Sequence, residues 1–221
     1  MSAPGLVIFD CDGVLVDSEP ISARVLWECV NEAGVAMSEA EVERTYVGAT
    51  LEAIERDVQL RRGAPLPAGW LDDYLARRAA AFERELEAVD GARETVEAVQ
   101  ALGWETCIAS QGRVIKMRQT LSLTGLADLF PPERIFSATM VPRPKPAPDL
   151  YVHAARSCGW EPGDCVVVED SLSGVRGARA AGMRVLGYVG RSRPEDAAMT
   201  LTAAGAQLVR DMREVPRRVA A

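Results

Sequence analysis

Several residue types are scarce in this chain of 221 residues, and each shortage removes a class of protein. There is one histidine, His153, so histidine-rich metal centres and a Ser-His-Asp hydrolytic triad lack their material. It falls on a predicted helix, where packing or a surface position is expected. The five cysteines (Cys11, Cys29, Cys107, Cys158 and Cys165) are odd in number and show no CxxC spacing. They read as reduced, mostly buried thiols of a cytoplasmic protein, not as a disulfide framework. Basic charge is in deficit: 25 Lys and Arg stand against 32 Asp and Glu, a formal charge of -7. That balance argues against nucleic acid or an anionic membrane surface as a partner. Long apolar runs are also missing. The first stops at Asp10 with no basic region before it, so neither a signal peptide nor a membrane span is expected. What remains, 48% hydrophobic and 26% charged residues, is the balance of an ordinary globular protein, expected as a monomer.

The chain is organised around the stretch from Leu6 to Glu19. Leu6 to Phe9 has the length and residue types of a buried strand. It runs into Asp10-Cys11-Asp12-Gly13. In an extended chain the period of two would turn Asp10 and Asp12 to one side. Paired acids at the carboxyl end of a parallel strand lie where open α/β sheets bind ligands. Their repulsion calls for a cation or a shared proton. Gly13 permits a sharp turn.

Residues 20–88 carry helical patterns and no strand pattern. Ile21, Val25, Leu26 and Val30 form one apolar stripe, stopped near Gly34. Ser38 and Glu41 have capping-box spacing. A third pattern covers 50–62, and a Gly/Pro-rich break at 63–69 precedes a helix predicted from Trp70 to Ala88. From Asp90 onward helices and strands alternate, with strands at 105–110, 135–137, 164–170, 184–188 and 207–209. That alternation is the mark of a parallel sheet with crossover helices. The expected architecture is an α/β core of residues 1–18 and 89–221, interrupted by an all-helical insertion of residues 19–88.

Three further stretches carry chemistry. Ser110 ends one strand, and with the N–H groups of Gln111 and Gly112 opening the next helix it offers a site for phosphate oxygens. Lys145 lies among Pro144, Pro146 and Pro148, an unusually fixed setting for a lysine. Glu169 and Asp170 end the run Val166-Val167-Val168, and adjacent acids there are costly unless a cation meets them. Hard oxygen ligands of this kind suit Mg²⁺.

DCDGVLVDSE, Ser110, KPAPD and EDSLSG appear in the order of the four motifs of the haloacid dehalogenase superfamily. The chain resembles the phosphatase and phosphomutase branch of that family over nearly its whole length. The resemblance implies a Rossmann-like core with a mobile helical cap. It implies that Asp10 is the nucleophile and Asp12 the general acid/base. Lys145 would stabilise the carboxylate and the phosphoryl oxygens. Mg²⁺ would be held by Asp10, the Asp12 carbonyl and the Glu169-Asp170 pair. The residue after Ser110 is commonly Asn in the family and is Gln111 here, and Gly174 stands where many relatives carry another Asp. The expected activity is hydrolysis of a small phosphate ester. YVGATLEAI and RELEAVDGA are similar to bacterial sugar-phosphate phosphatases. The alternative is a sugar phosphomutase of the beta-phosphoglucomutase type. A dehalogenase would not need the metal pair, and a non-catalytic phosphosugar sensor would be expected to have lost Asp10 or Asp12. Substrate choice is expected to lie in the insertion, with Ser22 and Arg24 as candidates to meet the substrate.

Overall fold

The computed structural model describes residues 4–46, 49–190 and 195–220. In chain order the elements are β1 (Leu6–Phe9), α1 (Glu19–Glu32), α2 (Glu39–Tyr46), α3 (Leu51–Arg62), α4 (Trp70–Glu85), α5 (Ala92–Ala101), β2 (Glu105–Ser110), α6 (Val114–Leu123), β3 (Ile135–Ser137) and α7 (Asp149–Ser157). They continue with β4 (Cys165–Glu169), α8 (Leu172–Ala180), β5 (Arg184–Tyr188), α9 (Glu195–Ala203), β6 (Gln207–Val209) and α10 (Val215–Val219). Two compact units divide the chain: Met1–Val16 with Ala88–Ala221, and Asp17–Glu87.

The first unit is built on a six-stranded sheet in the order β3-β2-β1-β4-β5-β6, with every paired neighbour parallel. All four residues of β1 and all five of β4 are buried, because helices cover both faces of a parallel sheet. One face is closed by Leu150, Tyr151, Ala154, Val175, Ala178 and Leu201. The register pairs Phe9 with both Ile108 and Val168, and Ser110 with Ser137. The carboxyl ends of β1 to β4 therefore share one edge. Strand order reverses direction at β1, which makes that edge the expected ligand crevice of an open α/β sheet.

The second unit is helical. Ser38 and Glu41 close the capping box: the Ser38 N–H donates to the Glu41 carboxylate (2.8 Å), and the Glu41 N–H donates to the Ser38 hydroxyl (3.3 Å). The indoles of Trp27 and Trp70 donate to the carbonyls of Met37 (2.8 Å) and Cys29 (3.2 Å), fastening α1 to its neighbours. Val47 and Gly48, within the stretch YVGATLEAI, lie outside the described residues.

Two local differences from the sequence reading stand out. α4 stops at Glu85, not at Ala88, because Leu86 is already extended and Ala88 bridges antiparallel to Val16. Helix-favouring composition yields here to strand-like pairing. The helices α9 and α10 carry no clear apolar stripe and were not foreseen.

Candidate active site

β1 ends at Phe9, but the Asp10 N–H continues the ladder by donating to the Val168 carbonyl (2.9 Å), which holds Asp10 beside the end of β4. Asp10, Glu169, Asp170 and Lys145 are all buried. Lys145, on the proline-rich loop between β3 and α7, donates to Asp10 Oδ1 (2.9 Å) and to Glu169 Oε1 (2.8 Å). Tyr151 of α7 donates its hydroxyl to the same Glu169 oxygen (3.2 Å), and its ring lies 4.9 Å from the Lys145 ammonium. The Ser171 N–H donates to Glu169 Oε2 (2.6 Å).

The electrostatics follow from three acids and one lysine in a dry place. Burial is the largest influence on Asp10. Against the pull of Lys145, and with Glu169 adding to it, burial pushes the Asp10 carboxyl up to about 7. Burial would also raise Glu169, but Lys145 and the Ser171 N–H outweigh it and hold this carboxyl below its usual range. Burial would lower Lys145, yet Asp10 and Glu169 outweigh it and keep the ammonium charged.

Asp10, Glu169 and Asp170 each offer an oxygen, and these lie within 4.8 Å of one another. Three carboxylates and one ammonium gather at these strand ends. The donor set is hard oxygen, which fits a small divalent cation such as Mg²⁺. Gly174 has a physical reason at this position. A Cβ there would sit 1.7 Å from Glu169 Oε1, so the Glu169 side chain occupies the space any larger residue would need.

The neighbouring strand end provides the polar cradle. Ser110 is buried, and its hydroxyl accepts from the Gly112 N–H (3.2 Å). Gln111 is exposed and lies in a bend, and α6 begins only at Val114. From the end of β3, the buried Ser137 donates to the Gly112 carbonyl (2.8 Å) and so fixes this bend.

Asp12 takes a different path from Asp10. The strand has ended, Gly13 adopts φ +76°, and its N–H donates to the Val16 carbonyl (2.8 Å) in a tight turn. The Asp12 carboxylate accepts from Lys116 of α6, while Asp10 faces Lys145. The two acids are thus held by different cations instead of lying together on one strand face.

Lys116, Tyr151 and Ser137 were not foreseen. No local signal marked Lys116, because the sequence reading opens its helix at Gln111 and Gly112 and leaves Lys116 past the first turn. Several other side chains are plainly placed. Cys11 is buried, and burial pushes its thiol far up. His153 packs edge-on against Phe136, with ring centroids 5.5 Å apart. Arg143 forks onto Asp149 (2.8 and 3.1 Å) on the surface. In the helical unit, Ser22 donates back to the Ser18 carbonyl (2.8 Å), and Arg24 pairs with Glu85 (2.5 Å) and Glu28 (3.6 Å).

Buried acids on two adjacent parallel strand ends with a buried lysine between them make a centre for handling an anionic group at the sheet edge. Residues 4–182 match the haloacid dehalogenase-like hydrolases, and the chain belongs to that family. It is 34% identical over 186 residues to 6-phosphogluconate phosphatase of Escherichia coli K12, covering 84% of this chain and 82% of that one. Among solved structures it resembles a conserved haloacid dehalogenase-like protein of unknown function from Agrobacterium tumefaciens, at TM-score 0.83 and 38% identity, covering 98% and 97% of the two chains. It also resembles a haloacid dehalogenase family hydrolase from Deinococcus radiodurans with bound phosphate and sodium, at TM-score 0.81 and 32% identity, covering 99% and 98%. No helix among the described residues is long and apolar enough to cross a membrane.

Proposed function

We propose that the protein is a Mg²⁺-dependent phosphatase acting on a small phosphorylated metabolite, a sugar phosphate by class. The observation that carries this reading is Asp10: a carboxylate at a strand end, held by Lys145 beside Glu169 and Asp170. The relative named 6-phosphogluconate phosphatase and the neighbour with bound phosphate support the substrate class.

In the proposed reaction an oxygen of Asp10 attacks phosphorus and the bond from phosphorus to the ester oxygen breaks. Asp12 gives its proton to the leaving alcohol. Water then attacks the aspartyl-phosphate and gives a proton to Asp12, which frees phosphate and restores the Asp10 carboxylate. Ser110, the backbone N–H groups of the 111–112 bend and Lys145 would hold the equatorial oxygens. Mg²⁺, held by Asp10, Asp170 and the Asp12 carbonyl with Glu169 adjoining, would offset charge between nucleophile and phosphate when bound. Substrate choice is assigned to residues 17–87, because the core groups address only the phosphoryl group.

The test is phosphate release over a panel of sugar phosphates, with Mg²⁺ and with EDTA. Turnover of at least one sugar phosphate that stops in EDTA is expected. Asp170→Ala should weaken the Mg²⁺ response more than Glu169→Ala. Full activity in chelator would remove the metal from the reaction, and isomerisation without phosphate release would favour the mutase.

A further inference from the structure

We propose that Lys116 is a positioning residue for Asp12, holding its carboxylate on the α6 side of the site and apart from the Asp10, Glu169 and Asp170 oxygens. The inference rests on the phosphatase reading above and assigns a role that reading leaves empty. The backbone of Asp12 is fixed by the turn that Gly13 and Val16 close. A fixed backbone still leaves the carboxylate free to choose between rotamers. Proton transfer needs one of them, with the carboxylate held apart from the cation cluster.

Three observations show how that choice is enforced. Lys116 Nζ donates to Asp12 Oδ1. The other oxygen, Oδ2, lies 3.6 Å from where a Cβ on Gly112 would be, so the carboxylate rests against the bend that follows Ser110. The acids whose oxygens gather within 4.8 Å are Asp10, Glu169 and Asp170, without Asp12. The Lys116 and Asp12 side chains are only 20% and 26% exposed, unlike the solvated ion pairs of the surface. Lys116 also stands in the first turn of α6, where the helix dipole disfavours a cation, so the position is useful for something other than the helix.

The two half-reactions depend on Asp12 differently, and the difference provides a test. With p-nitrophenyl phosphate the leaving phenolate departs without a proton, so forming the aspartyl-phosphate does not need Asp12. Its hydrolysis does, because water must lose a proton to the Asp12 carboxylate as its oxygen bonds to phosphorus and the bond to Asp10 breaks.

In Lys116→Met, pre-steady-state kinetics with Mg²⁺ should therefore show a burst of about one nitrophenolate per active site. Steady turnover should then be about 100-fold below the parent, the low end of general acid-base effects. The ratio of burst rate to steady rate should rise at least tenfold over the parent, and Lys116→Arg should restore most of the steady rate. Lys116→Gln serves if the Met variant melts below the parent. Burst and steady rates falling in parallel, or no change in either, would overturn the positioning role. A raised KM with unchanged kcat would overturn it too and make Lys116 a substrate contact. Absence of any turnover in the parent would instead overturn the phosphatase reading, and this inference with it.

Discussion

In the α/β unit the charges that matter are inside: Asp10, Lys145, Glu169 and Asp170 are buried, and Lys145 bonds both Asp10 and Glu169. In the helical unit Arg24, Arg61 and Arg77 pair with acids at side chains more than a third exposed. Of the buried polar residues described, only Ser18 belongs to the helical unit, and the largest fully buried side chains all belong to the α/β unit. Removing one partner of a buried pair strands a charge and costs about 3–5 kcal/mol. An exposed pair is worth about 0–1 kcal/mol. The α/β unit is therefore built to hold a fixed charge geometry. The helical unit holds its shape by apolar stripes and capping, and its surface charges are replaceable.

The sharpest break in that comparison is at the nucleophile. Asp10→Asn should lower phosphate release by at least about 1000-fold while the circular dichroism spectrum stays that of the parent, because the amide cannot take the phosphoryl group on a carboxylate oxygen. Turnover within tenfold of the parent would take the nucleophile role away from Asp10.

The next contrast sets two glycines against each other. Gly174→Ala places a Cβ into the Glu169 carboxylate and should cost about 1–3 kcal/mol of stability by overpacking, with the Mg²⁺ response weakened as well. Gly34→Ala, at the end of α1 with φ +87° and open space around it, should cost about 1 kcal/mol from backbone strain alone and leave the Mg²⁺ response intact. Thermal melts with and without Mg²⁺ separate the two. A Gly174→Ala protein with the parent's Mg²⁺ response would mean that Glu169 moves freely.

A smaller effect is expected at Arg24. Glu85 and Glu28 already answer its charge, so Arg24→Ala should change kcat/KM for a sugar phosphate by no more than about 1 kcal/mol. A selective loss well beyond that, absent with an aryl phosphate, would make Arg24 a reader of substrate.

The smallest effect is at Asp57, whose carboxyl is held below its usual range by the Arg61 guanidinium and the Tyr46 hydroxyl. A lowered pKa in the fold means that the contribution is full above the unfolded value and is lost as pH falls through the folded one. The pair is exposed, so Asp57→Asn should cost less than about 1 kcal/mol at pH 7 and less still at pH 2. An equal cost at both values would show that packing, not charge, is what Asp57 contributes.

Much of this protein was written in the order of its residues. Strands ETCIAS, IFS and Arg184 to Tyr188 lie where β-branched and apolar runs put them, because a parallel strand buried on both faces needs such a run. The acids, the serine and the fixed lysine were legible because each follows a strand end or is bracketed by prolines. The resemblance already set Lys145 against the Asp10 carboxylate, but tertiary structure alone decided the other pairings. Lys145 reaches both Asp10 and Glu169, and Lys116 reaches Asp12 across 104 residues of chain. Such pairings depend on which strands lie side by side and on how far a flexible stem extends, and neither is a local property. The same holds for Tyr151, which reads as a core aromatic until its hydroxyl is seen on Glu169, and for Leu86, where helical composition gave way to the bridge between Val16 and Ala88. Local propensity is worth a few tenths of a kcal/mol per residue, and a long-range contact outweighs it wherever the fold brings one to bear.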